Sequence, residues 1–248
     1  MRFIISPAKK MNRAPDILDY QGYPEFVADA DILRRYISAL NYGEAKALWK
    51  CNDKIAEQNF ERFQRMNLKE NLTPALMAYE GIQYQYMAPT VMEEAALAYL
   101  QEHLRILSGF YGILRPLDGI VPYRLEMQAK VCVAGKKNLY DFWGERLAKS
   151  LFEETHVIVN LASKEYSRCV SAWLKPEIQW ITCIFGEQVG DKIIEKGTLA
   201  KMARGEMIRF MAERQAEGPD DMKDFDRLGY HFQSELSDAR TFVFCTEH

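Results

Sequence analysis

Histidine is scarce in this chain, with four in 248 residues, and His103, His156, His231 and His248 stand far apart in sequence. The five cysteines are equally scattered, and Cys51, Cys132, Cys169, Cys183 and Cys245 form no C-x-x-C pair. Only Cys245 and His248 approach ligand spacing, and two ligands at a fraying chain end do not make a metal centre. The odd, unpaired cysteines read as reduced intracellular thiols. No apolar run approaches bilayer-spanning length, and MRFIISPAKK is too short in its apolar part to serve as a signal peptide. Excess positive charge is also missing: the formal net charge is −3, so nothing attracts nucleic acid globally and any polyanion binding has to be local. There is no P-loop, no dinucleotide glycine fingerprint, no G-x-S-x-G elbow and no H-E-x-x-H. These absences predict a cytoplasmic protein with no metal, no cofactor and no membrane partner.

What is present is an ordinary globular composition, 48% hydrophobic and 27% charged, in a chain long enough to bury a substantial core. No linker, repeat or low-complexity segment divides it. We read residues 1–248 as a single domain of α/β (mixed α+β) class, a central mixed β-sheet flanked by helices.

Arg2 to Ile5 reads as a first, buried strand stopped by Ser6-Pro7, which places Ser6, Lys9 and Lys10 just past its carboxyl end, the edge where open α/β sheets bind ligands. Residues 25–66 repeat apolar positions at helical spacing, with Asn41 and Asn52 as caps. Tyr79, Tyr84 and Tyr86 cluster around Gly81 and are assigned to the core edge. The capping-box pair Thr90 and Glu93 predicts a helix over 90–107. Gly109, Gly112 and Pro116 follow it, so a helix-hairpin-like element near residues 90–116 is expected. Tyr123 to Val133 alternates as a strand does, with Arg124 and Glu126 on one face. Leu139 to Phe152 patterns as a helix. Val157 to Val159 reads as a buried strand that delivers Asn160 and Ser163 to a helix amino end over 164–174, a place that favours anions. Ile178 to Val189 is expected as a strand and Thr198 to Arg214 as a helix projecting Lys201 and Arg204 together. A last strand is TFVFC.

The stretch from His103 to Lys130 concentrates apolar side chains interleaved with Arg105, Arg115, Asp118, Arg124 and Glu126. Burying the apolar part stabilises the fold, so the charges are expected at a cleft rim or in pairs. RILSGFYGILRPLDGIVPYRLEM in this stretch, ISPAK near the start, NLASKEY at 160–166 and AKMARG at 200–205 together resemble the YaaA peroxide-stress proteins, over nearly the whole chain. The resemblance implies a cytoplasmic protein of hydrogen-peroxide resistance with a positively charged cleft and a helix-hairpin-helix element. It further implies DNA (duplex or branched) as partner and protection against iron-dependent damage. Carried to matching positions, it names Ser6, Lys9, Arg105, Ser108, Arg115, Tyr123, Arg124, Asn160, Ser163, Lys201 and Arg204 as DNA- or phosphate-binding residues. The chain departs from the family pattern at Lys10, Gln128 and Met202 and in the FVFCTEH tail. No nucleophile–base pair is recognisable from spacing, so catalytic residues are unassigned, and a monomeric binding protein is preferred to an enzyme. An enzyme acting on a nucleotide-like or phosphorylated small molecule in the same cleft, with Glu126 or Glu165 as base, is the first alternative. An iron-handling protein is the second.

Overall fold

The computed structural model describes residues 1–14, 17–190 and 192–246. The chain opens with β1 (Arg2–Ile5) and a short β2 (Lys10–Met11). Three helices follow, α1 (Val27–Ser38), α2 (Tyr42–Trp49) and α3 (Asp53–Gln64). Asn41 and Asn52 begin the second and third, each side chain accepting the backbone N–H three residues on, at 3.0 Å, which satisfies a donor the helix itself leaves open.

The segments β3 (Thr73–Pro74), α4 (Ala75–Ala78), β4 (Tyr79–Glu80) and α5 (Ile82–Met87) lead to α6 (Glu94–His103). Next come β5 (Leu104–Ser108), β6 (Gly112–Leu114), β7 (Gly119–Ile120), α7 (Leu139–Trp143) and α8 (Arg146–Glu154). The remainder is β8 (Val157–Asn160), α9 (Lys164–Ser171), β9 (Gln179–Val189), β10 (Lys192–Ile194), α10 (Gly197–Glu213), β11 (Tyr230–Phe232) and β12 (Thr241–Thr246).

The central sheet runs β11-β12-β9-β8-β1-β5-β6, with β10 paired to β9. Its five middle strands are parallel, and β6, β10 and β11 pair antiparallel at the margins. Phe3, Ile4 and Ile5 of β1 are all fully buried, the mark of a strand covered on both faces. This is the mixed α/β architecture expected.

Three expected elements differ, each for a local reason. The helix expected over 90–107 starts at Glu94, because Ala88 in a left-handed conformation (φ 49°) and Pro89 set up a separate turn over Pro89–Val91. It stops at His103 because Leu104 pairs with Phe3 in the sheet. It therefore runs straight into the β5–β6 hairpin, and Arg115–Asp118 is a turn, so no second helix follows the hairpin within this stretch. Residues 123–133 form no strand, although their burial alternates as the pattern predicted; the period recorded which side chains face inward and not a ladder. The helix expected over 139–152 is two helices parted at Gly144.

The hairpin turn needs glycine. Gly112 has φ +76°, and a Cβ there would lie 2.8 Å from Leu147 and 3.0 Å from Trp143.

A candidate phosphate-binding crevice

Strand β1 feeds a path to β5 on one side of itself, while β8, its other neighbour, feeds β9 on the far side. The chain order reverses between β1 and β8, and the crevice beyond their carboxyl ends is where open α/β sheets place ligands. A cavity of about 530 Å³ opens there, lined from the β1 loop (Ser6, Lys9, Lys10), from β4 and α5 (Glu80, Gln83, Tyr84), from the start of α9 (Ser163, Glu165, Tyr166) and from α10 (Lys201, Arg204).

The two strand ends are latched to each other. Ser6 Oγ accepts the Ser163 backbone N–H at 2.9 Å and donates to Ser163 Oγ at 3.2 Å. The Tyr84 hydroxyl donates to the Ser6 carbonyl at 3.0 Å. Ser163 occupies the N-cap position of α9, yet its side chain does not cap the helix. Asn160 shapes the turn before it, its Oδ1 accepting the Ala162 N–H at 3.0 Å.

Most charges around the rim are paired. Lys9 and Arg124 share the Glu126 carboxylate, each at 3.1 Å, Lys10 pairs with Glu80, and Arg204 reaches Glu195 at 3.2 Å. Lys201 is exposed and makes no ion pair among the described residues. Burial raises the pKa of Glu165, and the negative charge of Glu126 adds to this, against the Gln128 N–H that its carboxylate accepts.

Two donors in this wall have nothing to bond. Gln83 is 7% exposed, and its Nε2 has no partner. Arg204 Nε is likewise buried and unpartnered. A buried donor left unmade costs about 1–3 kcal/mol, a cost that an acceptor in the cavity would offset. Glu80 Oε2, also in this wall and ion-paired with Lys10, is a buried acceptor without a hydrogen bond.

The crevice gathers Ser6, Lys9, Ser163, Lys201 and Arg204, and Arg124 stands next to it through Glu126. The other expected site residues lie elsewhere. Arg105 is 3% exposed. It donates to the carbonyls of Gln101, Glu102 and Leu104 at the end of α6 and pairs with Glu154 at 2.6 Å. Ser108 is fully buried, accepting the Phe110 and Tyr111 N–H groups and sharing a 2.6 Å hydrogen bond with Tyr123, which bonds Tyr79 in turn. Asn160 is buried with its amide engaged. These four brace the fold; Ser108 and Tyr123 do not line the crevice, whereas Arg105 also lines a separate cavity beside Glu154. Arg115 is exposed but lies by Glu154, lining that same separate cavity. Reasoning from the sequence passed over Gln83, one of two amides in the run IQYQYM, of which Gln83 is buried and Gln85 exposed.

The family model for Peroxide stress protein YaaA matches residues 1–236. The chain belongs to the YaaA family. A UPF0246 protein of Lachnoclostridium phytofermentans is 54% identical over 98% of this chain and 96% of its own. A UPF0246 protein of Agathobacter rectalis is 54% identical over 98% of both chains. One from Lactiplantibacillus plantarum is 47% identical over the full length of both. Membership of the YaaA family ties the chain to the response to peroxide stress. Among the described residues no helix is long and apolar enough to cross a membrane.

Proposed function

We propose that this chain acts in the cytoplasm under peroxide stress by binding DNA, with one phosphate-bearing nucleotide unit seated in the crevice. The observation that carries the reading is the pair of buried, unpartnered donors, Gln83 Nε2 and Arg204 Nε, in the wall of a cavity at the switch point of the sheet. Lys201 supplies charge at the rim, and the amino end of α9 favours an anion beside Ser163. A cavity of about 530 Å³ takes a nucleotide-sized group. It does not take a duplex whose major groove alone is about 12 Å wide. The contact is therefore to a strand end, a branch or an unstacked nucleotide.

Protection against iron-dependent damage then follows from covering DNA. The described residues hold no group of three or more His, Cys, Asp or Glu placed to grip a metal ion. Thiol chemistry is not the route through Cys169 and Cys183: burial pushes both thiols up to about 12, and the thiolate is the reactive form.

A second reading, an enzyme acting on a nucleotide-like or phosphorylated small molecule, is favoured by the enclosed size of the crevice and by Glu165, whose raised pKa suits proton transfer. Fluorescence anisotropy separates the two. Labelled single-stranded, duplex and branched DNA are titrated across salt, with Lys201→Ala as test and Arg115→Ala as control. Wild-type affinity should fall log-linearly with salt, and Lys201→Ala should flatten the slope by about 0.7–0.9, the value of one phosphate contact. Arg115→Ala should match wild type. No binding of any DNA at low salt refutes the DNA reading, and binding of free nucleotides alone selects the second.

A further inference from the structure

A second cavity, of about 330 Å³, lies where the segment after β2 meets the end of α3 and the loop beyond it. Arg13, Arg62 and Arg65 converge on it. None of the three forms an ion pair among the described residues. Glu61 and Glu70 also line the cavity but pair with none of them. Arg62 is half-buried, and its one side-chain hydrogen bond is a long 3.4 Å contact to Asn59. Burial and the charge of Arg13 both lower its pKa. The carboxyl end of α3 offsets part of this repulsion; an oxyanion between the guanidiniums would offset the rest. Arginine forks match phosphate oxygens in pairs, which makes phosphate the fitting ligand.

Two chain segments run from this cavity to the crevice. Lys9 and Lys10 line the crevice and Arg13 lines the arginine cavity. Three residues of extended chain span at most about 11 Å. A second segment runs the same way: Val121 and Pro122 line the arginine cavity, and Glu126 holds Lys9 at the crevice. The Tyr123 N–H donates to Met11 Sδ at 3.4 Å and ties the two segments together.

We propose that Arg13, Arg62 and Arg65 form a second phosphate site, which takes a phosphodiester of the same nucleic-acid strand that enters the crevice. The assignment rests on the DNA reading, and its test keeps the two apart.

The side-chain Nε–H signals of labelled arginine are followed by NMR, with a single-stranded hexanucleotide and, separately, with inorganic pyrophosphate. Both probes should move the signals of Arg13, Arg62 and Arg65. Arg13→Gln/Arg65→Gln changes two exposed side chains and keeps half-buried Arg62, so the fold is retained. It should bind the hexanucleotide about 10-fold more weakly, the loss of one charge-assisted contact, with a salt slope flatter by about 0.7. A dinucleotide, too short to span both sites, should bind wild type and variant alike. Signals that respond to neither probe overturn the site, as does a variant with wild-type affinity and slope. If pyrophosphate moves the three signals and no DNA binds wild type, the phosphate site stands and the DNA reading falls.

Discussion

Replacing Gly205 by alanine tests the geometry that builds the crevice. Gly205 sits inside α10 where that helix crosses α5, and a Cβ there would lie 2.2 Å from the Gln83 carbonyl oxygen and 3.0 Å from the Met87 nitrogen. Ordinary contact begins near 3.4 Å, so the carbonyl would have to retreat by about 1.2 Å. The obstructing atoms are backbone and cannot swing aside, which puts the cost near the upper end of the range for overpacking, about 3 kcal/mol. Alanine recovers about 1 kcal/mol through helix propensity. The expected net loss is about 2 kcal/mol, or about 4–8 °C in melting temperature for a chain of this size. Gly197→Ala is the control. It stands at the start of the same helix with nothing within 4 Å of the added Cβ, so it should be neutral or slightly stabilising. Thermal and urea unfolding of the two variants isolate the contact from the propensity gain. Because Gln83 and Arg204 flank the crossing, Gly205→Ala should also weaken nucleotide binding. A Gly205→Ala protein as stable as Gly197→Ala would refute the close helix crossing and with it the account of how Gln83 is held in the wall.

Two further outcomes follow from buried charge. Asp118 is 7% exposed, and burial pushes its carboxyl from the ordinary 3.8 up to about 6, against the Arg115 N–H and the arginines beside it. The folded protein then holds a proton that the unfolded chain has released. Stability should fall as pH rises from about 4 to about 6, by about 3 kcal/mol at 1.36 kcal/mol per unit, and Asp118→Asn should remove that slope in denaturation measured across pH. Glu154 receives Arg2 at 2.9 Å, Arg105 at 2.6 Å and Arg115 at 3.3 Å. Glu154→Gln should cost about 3 kcal/mol in urea unfolding, because Arg105 is left charged in the interior, whereas Arg115→Gln, at the exposed contact, should cost under about 1 kcal/mol. Burial raises the Glu154 pKa, but Arg105 and Arg2 outweigh it and hold the group below its ordinary range. Its contribution is therefore present above that range and lost as pH falls through it.

The strands β1 and β8 were legible in the sequence because a strand buried on both faces is an unbroken apolar run. The caps at Asn41 and Asn52 were legible for an equally local reason: the side chain bonds the backbone three residues away. What needed the folded chain was long-range competition. Thr90 and Glu93 spell a capping box, but a neighbouring proline takes the turn before the box can close. Leu104 to Ser108 continues a helical pattern, but pairing with β1 takes it as a strand. The crevice was half-legible. Ser6, Ser163, Lys201 and Arg204 come from three segments that the strand–turn–helix pattern places at one sheet edge, whereas Gln83 arrives on a short helix whose position is set by α10.

The polar residues of the signature stretch illustrate why a motif can mark a family without marking its site. A buried polar group has to be hydrogen-bonded. Ser108 and Tyr123 meet that demand in a chain of hydroxyls to Tyr79, and the two terminal nitrogens of Arg105 meet it by tying the end of α6 to Glu154 of α8. Each replacement would leave a partner unpaired, so these positions are specified by the scaffold itself. Within that stretch the Nε atoms of Arg105 and Arg124 still lack a partner, as do Gln83 Nε2 on α5 and Arg204 Nε on α10, and only the last two line the crevice. A ligand gains most where donors that face a cavity lack partners, which is why the proposed binding surface rests on Gln83 and Arg204 in the crevice wall and on the three arginines without ion pairs.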